Sequence, residues 1–216
     1  MKRRELFTGF GQSVCRPEVR RMARLIPNAR FRTQDDREVR FYDDLIKGRQ
    51  VMVMMMYANC ETFCPLATQR MVELHHQALA SRMGKDLFMV NISLKPHEDD
   101  PATLKAYAQM HKALLPGWTF LTGDQYDVDT LRYTFFSHEH IGIDLDADQH
   151  AGSMKIINDR TGRWFHADVF ASKRTMLDHI QWSDTPKSLA ERLKDNQKLQ
   201  QQIDRERQLY GYRKIA

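Results

Sequence analysis

The sequence predicts an α/β sandwich whose sheet combines parallel pairing with antiparallel hairpin strands. Two strand-length apolar runs, residues 51–56 and 87–94, suit strands buried inside a layered fold. Each is followed by a segment with helical signals, and the resulting strand–helix–strand units imply parallel pairing. A later turn, Asp159-Arg-Thr-Gly162, separates two further strand-like segments and adds an antiparallel hairpin.

Taken in order, residues 29–42 read as a first hairpin, two short strands around a polar Asp35-Asp36 turn. The run Val51-Met-Val-Met-Met-Met56 lies between Gly48 and Asn59. Alternate strand positions point to opposite faces, so Met52, Met54, Met55 and Met56 cannot all converge on one ion and are assigned to the core. From 62 to 83, Leu66, Met71, Val72, Leu74, Ala78 and Leu79 form a helical stripe ending at Gly84. After the strand at 87–94, Asp100-Pro101 supplies an N-cap and a proline at N1, opening a helix to about residue 115. Residues 118–121 are expected as a short strand and 128–136 as a helix. The hairpin strands 153–158 and 163–170 follow, then a helix at 173–181. This is the plan of a thioredoxin-like α/β sandwich with an added N-terminal β-hairpin.

The chain divides into a basic arm (1–28), the thioredoxin-like domain (29–182) and a polar C-terminal helical extension (183–216). Leu189, Leu193, Leu199, Ile203 and Leu209 give that extension a weak stripe. It suits a helix that packs on a partner or self-associates better than a coiled coil, because the heptad is imperfect.

An excess of 33 Lys and Arg over 28 Asp and Glu leaves +5, which invites a nucleic-acid reading. Placement removes it. Residues 1–40 hold 11 basic and 5 acidic side chains and residues 185–216 hold 8 and 4, whereas residues 41–184 hold 14 and 19. The middle is acidic and carries no aromatic-interleaved basic patch, so no nucleic-acid partner is expected. Three cysteines exclude a disulfide scaffold. No stretch approaches 18 apolar residues, so no transmembrane segment is expected. The opening Lys2-Arg3-Arg4-Glu5-Leu6-Phe7 resembles a twin-arginine export motif. Its continuation is too polar and charged for an apolar h-region, and the segment is read as a solvated arm in which Cys15 stands alone.

Chemistry concentrates at Cys60-Glu-Thr-Phe-Cys64-Pro65, directly after the buried strand and at the opening of the long helix. Amides at a helix N-terminus stabilise a thiolate. Residues four apart share a helix face, so the two sulfurs can converge on one ion or close a disulfide. Thiolates are soft ligands that select Cu(I), with zinc also accommodated, over magnesium or calcium. Among nine histidines, His75-His76 lie mid-helix, where surface exposure is expected. His138-Glu-His140 has metal-like spacing but falls in a polar loop and is expected to be solvated. His97, His111, His166 and His179 show no pattern. His150 differs by position, following the acidic loop 144–148 and preceding the strand at Ser153. In a thioredoxin-like fold that loop approaches the end of the sheet carrying the cysteine pair.

At this point the sequence resembles the Sco/SenC proteins, copper-binding thioredoxin-fold assembly factors for the CuA centre of cytochrome c oxidase. The resemblance covers roughly residues 29–181. It rests on Cys60-x3-Cys64-Pro65, on Val90-Asn-Ile-Ser93 leading to Asp100-Pro101-Ala-Thr-Leu-Lys-Ala-Tyr-Ala108, and on Gly117-Trp-Thr-Phe-Leu-Thr-Gly123. It continues through Leu131-Arg-Tyr-Thr-Phe-Phe136 to His150 and Met154-Lys-Ile-Ile-Asn-Asp-Arg-Thr-Gly162.

The resemblance implies that Cys60 and Cys64 are thiolate ligands and a redox pair, with His150 as third ligand to copper as Cu(I) or Cu(II). It further implies a cuproprotein or oxidase subunit as partner and a periplasmic or other extracytoplasmic setting. There are departures. Lys95-Pro96 stands where the family commonly has Asp-Pro, Glu61 replaces a proline common after the first cysteine, and the extension from Ser183 has no familiar counterpart. Acids at Glu98-Asp99-Asp100 and in loop 144–148 suggest a rim that attracts a cation or basic partner.

Two other functions fit the same cysteines. One is a thiol–disulfide oxidoreductase with Cys60 as nucleophile and Cys64 as resolving thiol, without physiological copper. The other is a copper or redox sensor.

Overall fold

Strand β3 (Gln50–Met56) forms the middle of the structure, and none of its residues is more than 5% exposed. Its side chains divide as the pleat requires. Met52, Met54 and Met56 enter one core layer, while Val51, Val53 and Met55 enter the other. The methionines are therefore core residues shared between two layers, as the sequence predicts.

The computed structural model describes residues 24–80, 87–136 and 152–184, together with Gln201. Residues up to Asp184 belong to one unit and Thr185–Ala216 to a second. Residues 1–23 with Cys15, loop 144–148, His138, His140, His150 and nearly all of the C-terminal extension lie outside the described residues.

The remaining elements are β1 (Arg30–Thr33), β2 (Glu38–Arg40), α1 (Phe41–Ile46), α2 (Phe63–Ala80), β4 (Leu87–Ser93) and α3 (Pro101–Met110). They continue with β5 (Trp118–Gly123), α4 (Gln125–Phe136), β6 (Ser153–Asn158), β7 (Arg163–Asp168) and α5 (Lys173–Asp184). The seven strands form one sheet in the order β2-β1-β5-β4-β3-β6-β7. Pairing is parallel for β3–β4 and β4–β5, and antiparallel on both flanks. Residues of α2, α3 and α5 pack into one layer against Met52, Met89 and Phe120, and residues of α1 and α4 into the other against Val53, Val90 and Leu121. This is the expected α/β sandwich with its N-terminal hairpin. Among the described residues, no helix is long and apolar enough to cross a membrane.

Several boundaries differ from the sequence expectation, each for a local reason. The second strand of the first hairpin stops at Arg40, because the next residues wind into the π-helical α1, closed by Lys47 N–H donating to Tyr42 O at 2.9 Å. Helix α3 ends at Met110 and not near residue 115. Lys112 takes a left-handed φ of 56°, and Ala113 N–H reaches back to Ala108 O at 2.7 Å, a Schellman-type stop. Helix α4 opens three residues early, where the Asp124 carboxylate accepts from Tyr126 N–H at 2.9 Å. Helix α5 runs on to Asp184 because sheet side chains hold its last turn. Gln50 donates to Ile180 O at 2.6 Å and Asn158 to the Asp184 carboxylate at 3.0 Å.

Gly123 ends β5 opposite Phe31. A Cβ there would lie 2.7 Å from the Phe31 ring and 3.2 Å from Arg30 O. Gly123→Ala is expected to cost about 1–3 kcal/mol by overpacking, read as a lower midpoint in urea with an unchanged slope.

Candidate functional site

The carboxyl end of β3 runs into the turn 57–60, and α2 begins at Phe63. Cys60 thus lies just outside the helix and Cys64 in its first turn. Leu94 N–H donates to Met56 O at 2.8 Å and Cys60 N–H to Tyr57 O at 3.3 Å, which fixes where the turn leaves the sheet. The first amides of a helix have no partner within it. Here Cys64 N–H donates to Cys60 Sγ at 3.3 Å, so a sulfur takes the place of an N-cap oxygen. The two cysteines are free thiols, 7% and 2% exposed.

Their acidities diverge. Burial alone would raise the Cys60 thiol, but hydrogen bonds from the Cys64 and Thr62 amides outweigh it and bring the group down to about 7. Burial pushes Cys64 up to about 12. A backbone bond to Tyr57 only partly opposes this, and the neighbouring Cys60 and Asp99 add to it. One sulfur is poised as a thiolate, and the other is held as a thiol.

Beneath the turn stands Asp99, 1% exposed. Its Oδ2 accepts from Ala58 N–H at 3.0 Å and from the Ser93 hydroxyl. Ser93 Oγ in turn accepts from Lys95 N–H at 3.0 Å. Burial raises the Asp99 carboxyl above its ordinary value. The acidic rim expected at Glu98-Asp99-Asp100 is therefore not uniform. Asp99 faces inward, Asp100 caps α3 by accepting from Thr103 N–H at 2.7 Å, and Glu98 is exposed. Lys95 lies 4.3 Å from the centre of the Tyr57 ring, a cation–π contact beside the turn. Tyr107 and Thr68 share a 2.8 Å hydrogen bond between α3 and α2, and burial raises the Tyr107 hydroxyl.

A crevice of about 10 Å³, room for roughly one water, opens among Met54, Met55, Phe63, Cys64, Ala67 and Gly152. Gly152 has φ 63°, and a Cβ on it would strike the Phe170 ring at 2.7 Å. It accepts from Val169 N–H at 2.8 Å. Around this crevice Phe63, Leu66 and Phe170 are 49%, 58% and 41% exposed, with Phe63 and Phe170 edge to face at 6.5 Å. Among the described residues, no third His, Cys, Asp or Glu joins the cysteines in a cluster able to hold a metal.

His75, which the sequence places at the surface, is instead 2% exposed. Its Nε2 lies 2.8 Å from Pro116 O, and its ring stacks on Trp118 at 6.3 Å, while its neighbour His76 is exposed. Leu66, assigned to the buried stripe, is exposed. Helix α2 turns Cys64, Ala67, Thr68, Met71, His75 and Ala78 inward, an i, i+3, i+4 series of small and polar as well as apolar residues. Asp99, Ser93, Thr68 and Tyr107 do not stand out from the sequence as site residues. The one signal for Asp99 is an acid between an apolar strand and the Asp100-Pro101 cap.

A parallel-centred sheet with paired cysteines where its central strand meets a helix defines a thioredoxin-like dithiol protein. The SCO1/SenC family model matches residues 19–196, and the chain belongs to that family. It is 31% identical over 93 residues to the SCO1 protein homolog of Bacillus subtilis (strain 168), a match covering 43% of this chain and 46% of that protein. The chain thus spans about half the length of this curated relative. Among solved structures it is similar to BsSco, described as a Sco-family cytochrome c oxidase assembly protein with a disulfide switch. That likeness has 23% identity and a TM-score of 0.61, over 75% of this chain and 94% of BsSco. It is similar to copper-bound yeast Sco1 at 19% identity and a TM-score of 0.59, over 77% and 97% of the two chains. A SCO1/SenC family lipoprotein from Bacillus anthracis str. Ames matches at 21% identity and 0.61, over 73% and 93%. At these identities the likenesses establish the fold.

Proposed function

We propose that this chain is a copper-binding thiol protein that carries copper on Cys60, Cys64 and His150. It serves the assembly of a CuA-type site in cytochrome c oxidase or a related cuproprotein. The observation that carries this is the cysteine pair itself, two soft sulfurs brought together at a helix N-terminus, with one already held toward the thiolate form. Two sulfurs and an imidazole suit Cu(I), and the imidazole lets the same site accept Cu(II). Support for His150 comes from Gly152, two residues further on, which lines the same crevice as Cys64. Membership of the SCO1/SenC family and the copper-bound structures of yeast and Bradyrhizobium japonicum relatives point the same way. The exposed Phe63, Leu66 and Phe170 give a partner an apolar surface beside the thiols.

Titration of the reduced protein with Cu(I) against a competing chelator, and with Cu(II) by absorbance, tests the proposal. One copper per chain is expected. Cys60→Ser should abolish tight binding, and His150→Ala, which removes a direct ligand, should weaken Cu(II) binding by more than the roughly 10–100-fold typical of losing a group that only supports a ligand. Copper uptake no greater than background, or a His150→Ala variant equal to wild type, overturns the three-ligand site.

The split acidities of the thiols favour a second reading, disulfide exchange. The Cys60 thiolate attacks a partner disulfide and displaces one partner thiolate, which takes up a proton. Cys64 then loses its proton and attacks the mixed disulfide. The partner leaves as a dithiol and the Cys60–Cys64 disulfide remains, two electrons having passed to the partner. Turnover of a dithiol–disulfide assay by a His150→Ala variant that no longer binds copper would favour this reading.

A further inference from the structure

We propose that Asp99 is the positioning residue of the thiol pair: its buried carboxylate anchors the turn that carries Cys60 up to Cys64. The inference rests on the reading of that pair as the functional centre, and assigns to it a group outside the Cys-x3-Cys motif. Asp99 sits in the segment between β4 and α3, whereas Cys60 sits between β3 and α2, so the sequence separates them by 39 positions. The fold joins their two segments at one carboxylate oxygen. Asp99 Oδ2 accepts both the Ala58 amide at 3.0 Å and the Ser93 hydroxyl. Ala58 is the second residue of the turn, and β3 ends two residues before it.

Other restraints act on the residues on either side of Ala58. Leu94 N–H donates to Met56 O before the turn and Cys60 N–H to Tyr57 O at 3.3 Å within it, while Tyr57 makes a backbone bond to the Cys64 sulfur and lies under the Lys95 ammonium. Glu61, Thr62 and Phe63 beyond it are exposed, and on that side Cys60 is held through the Thr62 and Cys64 amides that donate to its sulfur. Without an acceptor, the Ala58 amide would be left unsatisfied, and the turn would move to find one. Cys60 Sγ would then drift from the Cys64 amide, since that 3.3 Å contact spans only the residues that the turn positions. Asp99 is itself held by a rigid frame. It precedes the N-cap Asp100, its own N–H donates to Lys95 O at 2.9 Å, and Ser93 is the last residue of β4, paired in register with Met56. The carboxylate therefore transmits the position of β4 and α3 to the thiols.

The role divides into a hydrogen-bonding part and a charge part, which different substitutions separate. In Asp99→Asn, a carbonyl oxygen of the same reach keeps both acceptances while the charge is lost. In Asp99→Ala both are lost. The measurement is the Cys60–Cys64 dithiol–disulfide equilibrium in glutathione buffers, on the metal-free full chain in a Cys15→Ser background, read by alkylation of the quenched thiols. Closing the disulfide gives two electrons and two protons to glutathione disulfide, which leaves as two glutathione thiols. Hydrogen exchange at the Ala58 amide is measured alongside.

Asp99→Ala is expected to shift the equilibrium toward the dithiol by about tenfold or more, and to speed Ala58 exchange by a similar factor, as a buried hydrogen bond is lost. Asp99→Asn is expected within about threefold of wild type in both. Two results overturn the proposal. If Asn and Ala shift the equilibrium equally, Asp99 acts through charge and not position. If both melt earlier while equilibrium and exchange match wild type, it is only a structural residue. The wild-type equilibrium is read without copper, so failure of the copper proposal leaves this test intact.

Discussion

Iodoacetamide will modify Cys60 of the reduced, metal-free protein at least about a hundredfold faster than Cys64 near neutral pH. The thiolate is the reacting form, and the two groups lie on either side of the working range, about 7 for Cys60 and about 12 for Cys64. Intrinsic nucleophilicity falls with acidity, which trims the ratio without removing it. The Cys60 rate should rise tenfold per pH unit below about 7 and level off above it. Peptide mapping after brief labelling at a series of pH values reads both. Equal labelling, or a Cys60 midpoint near the ordinary 9.0, would mean that the Cys64 and Thr62 amides do not support the sulfur. The same acidities set a pH dependence of stability. Cys60 is depressed in the folded state, so its contribution is complete above 9.0 and is lost as pH falls through about 7. Cys64 is raised, so its contribution is present below 9.0 and is lost as pH rises toward about 12. The stabilisation from the pair therefore peaks near the value the two thiols share when unfolded.

Phe120→Ala should destabilise the protein by about 3–5 kcal/mol, a large fraction of the stability of an ordinary domain. Phe120 is fully buried on β5, stacked on Trp118 at 5.6 Å and edge to face with Tyr107 at 6.1 Å. Its removal opens a void between the sheet and α3 and leaves Trp118 and Tyr107 each without the ring they pack against there. Urea unfolding measures the effect. A change under about 1 kcal/mol would mean that the layer collapses to fill the gap, which its stacked rings do not readily allow. Tyr107 spans from this layer to Thr68 beside Cys64, so the variant also reports whether the thiol site keeps its acidity when the layer beneath it loosens.

The layered architecture was legible because it is written in hydropathy and punctuation. The 51–56 run, the Asp100-Pro101 cap and the Asp159–Gly162 turn each state a local preference that the fold obeys. The cysteine pair was legible for the same reason, since its position at a strand-to-helix junction is a matter of sequence order. What escaped depends on contacts between distant segments. Asp99 looks like one of three surface acids, because nothing local says that its side chain meets an amide 41 residues away. His75 looks exposed, because a hydropathy stripe counts histidine as polar. Burial follows instead from a carbonyl at Pro116 and a ring at Trp118, both arriving from across the sheet. Leu66 errs in the opposite direction, since α2 is rotated to turn Cys64 and Ala67 inward.

The methionines of β3 have a further consequence, for ageing and not for binding. A thioether is oxidised only when an oxidant meets its sulfur, and for Met52 and Met56, both fully buried, that requires the sheet to part. Damage there is scaled down by the small fraction of the protein that is open at any moment. Because Met55 faces one layer and its neighbours the other, a single breach would set polar sulfoxides in both layers, and the wound would resist closing.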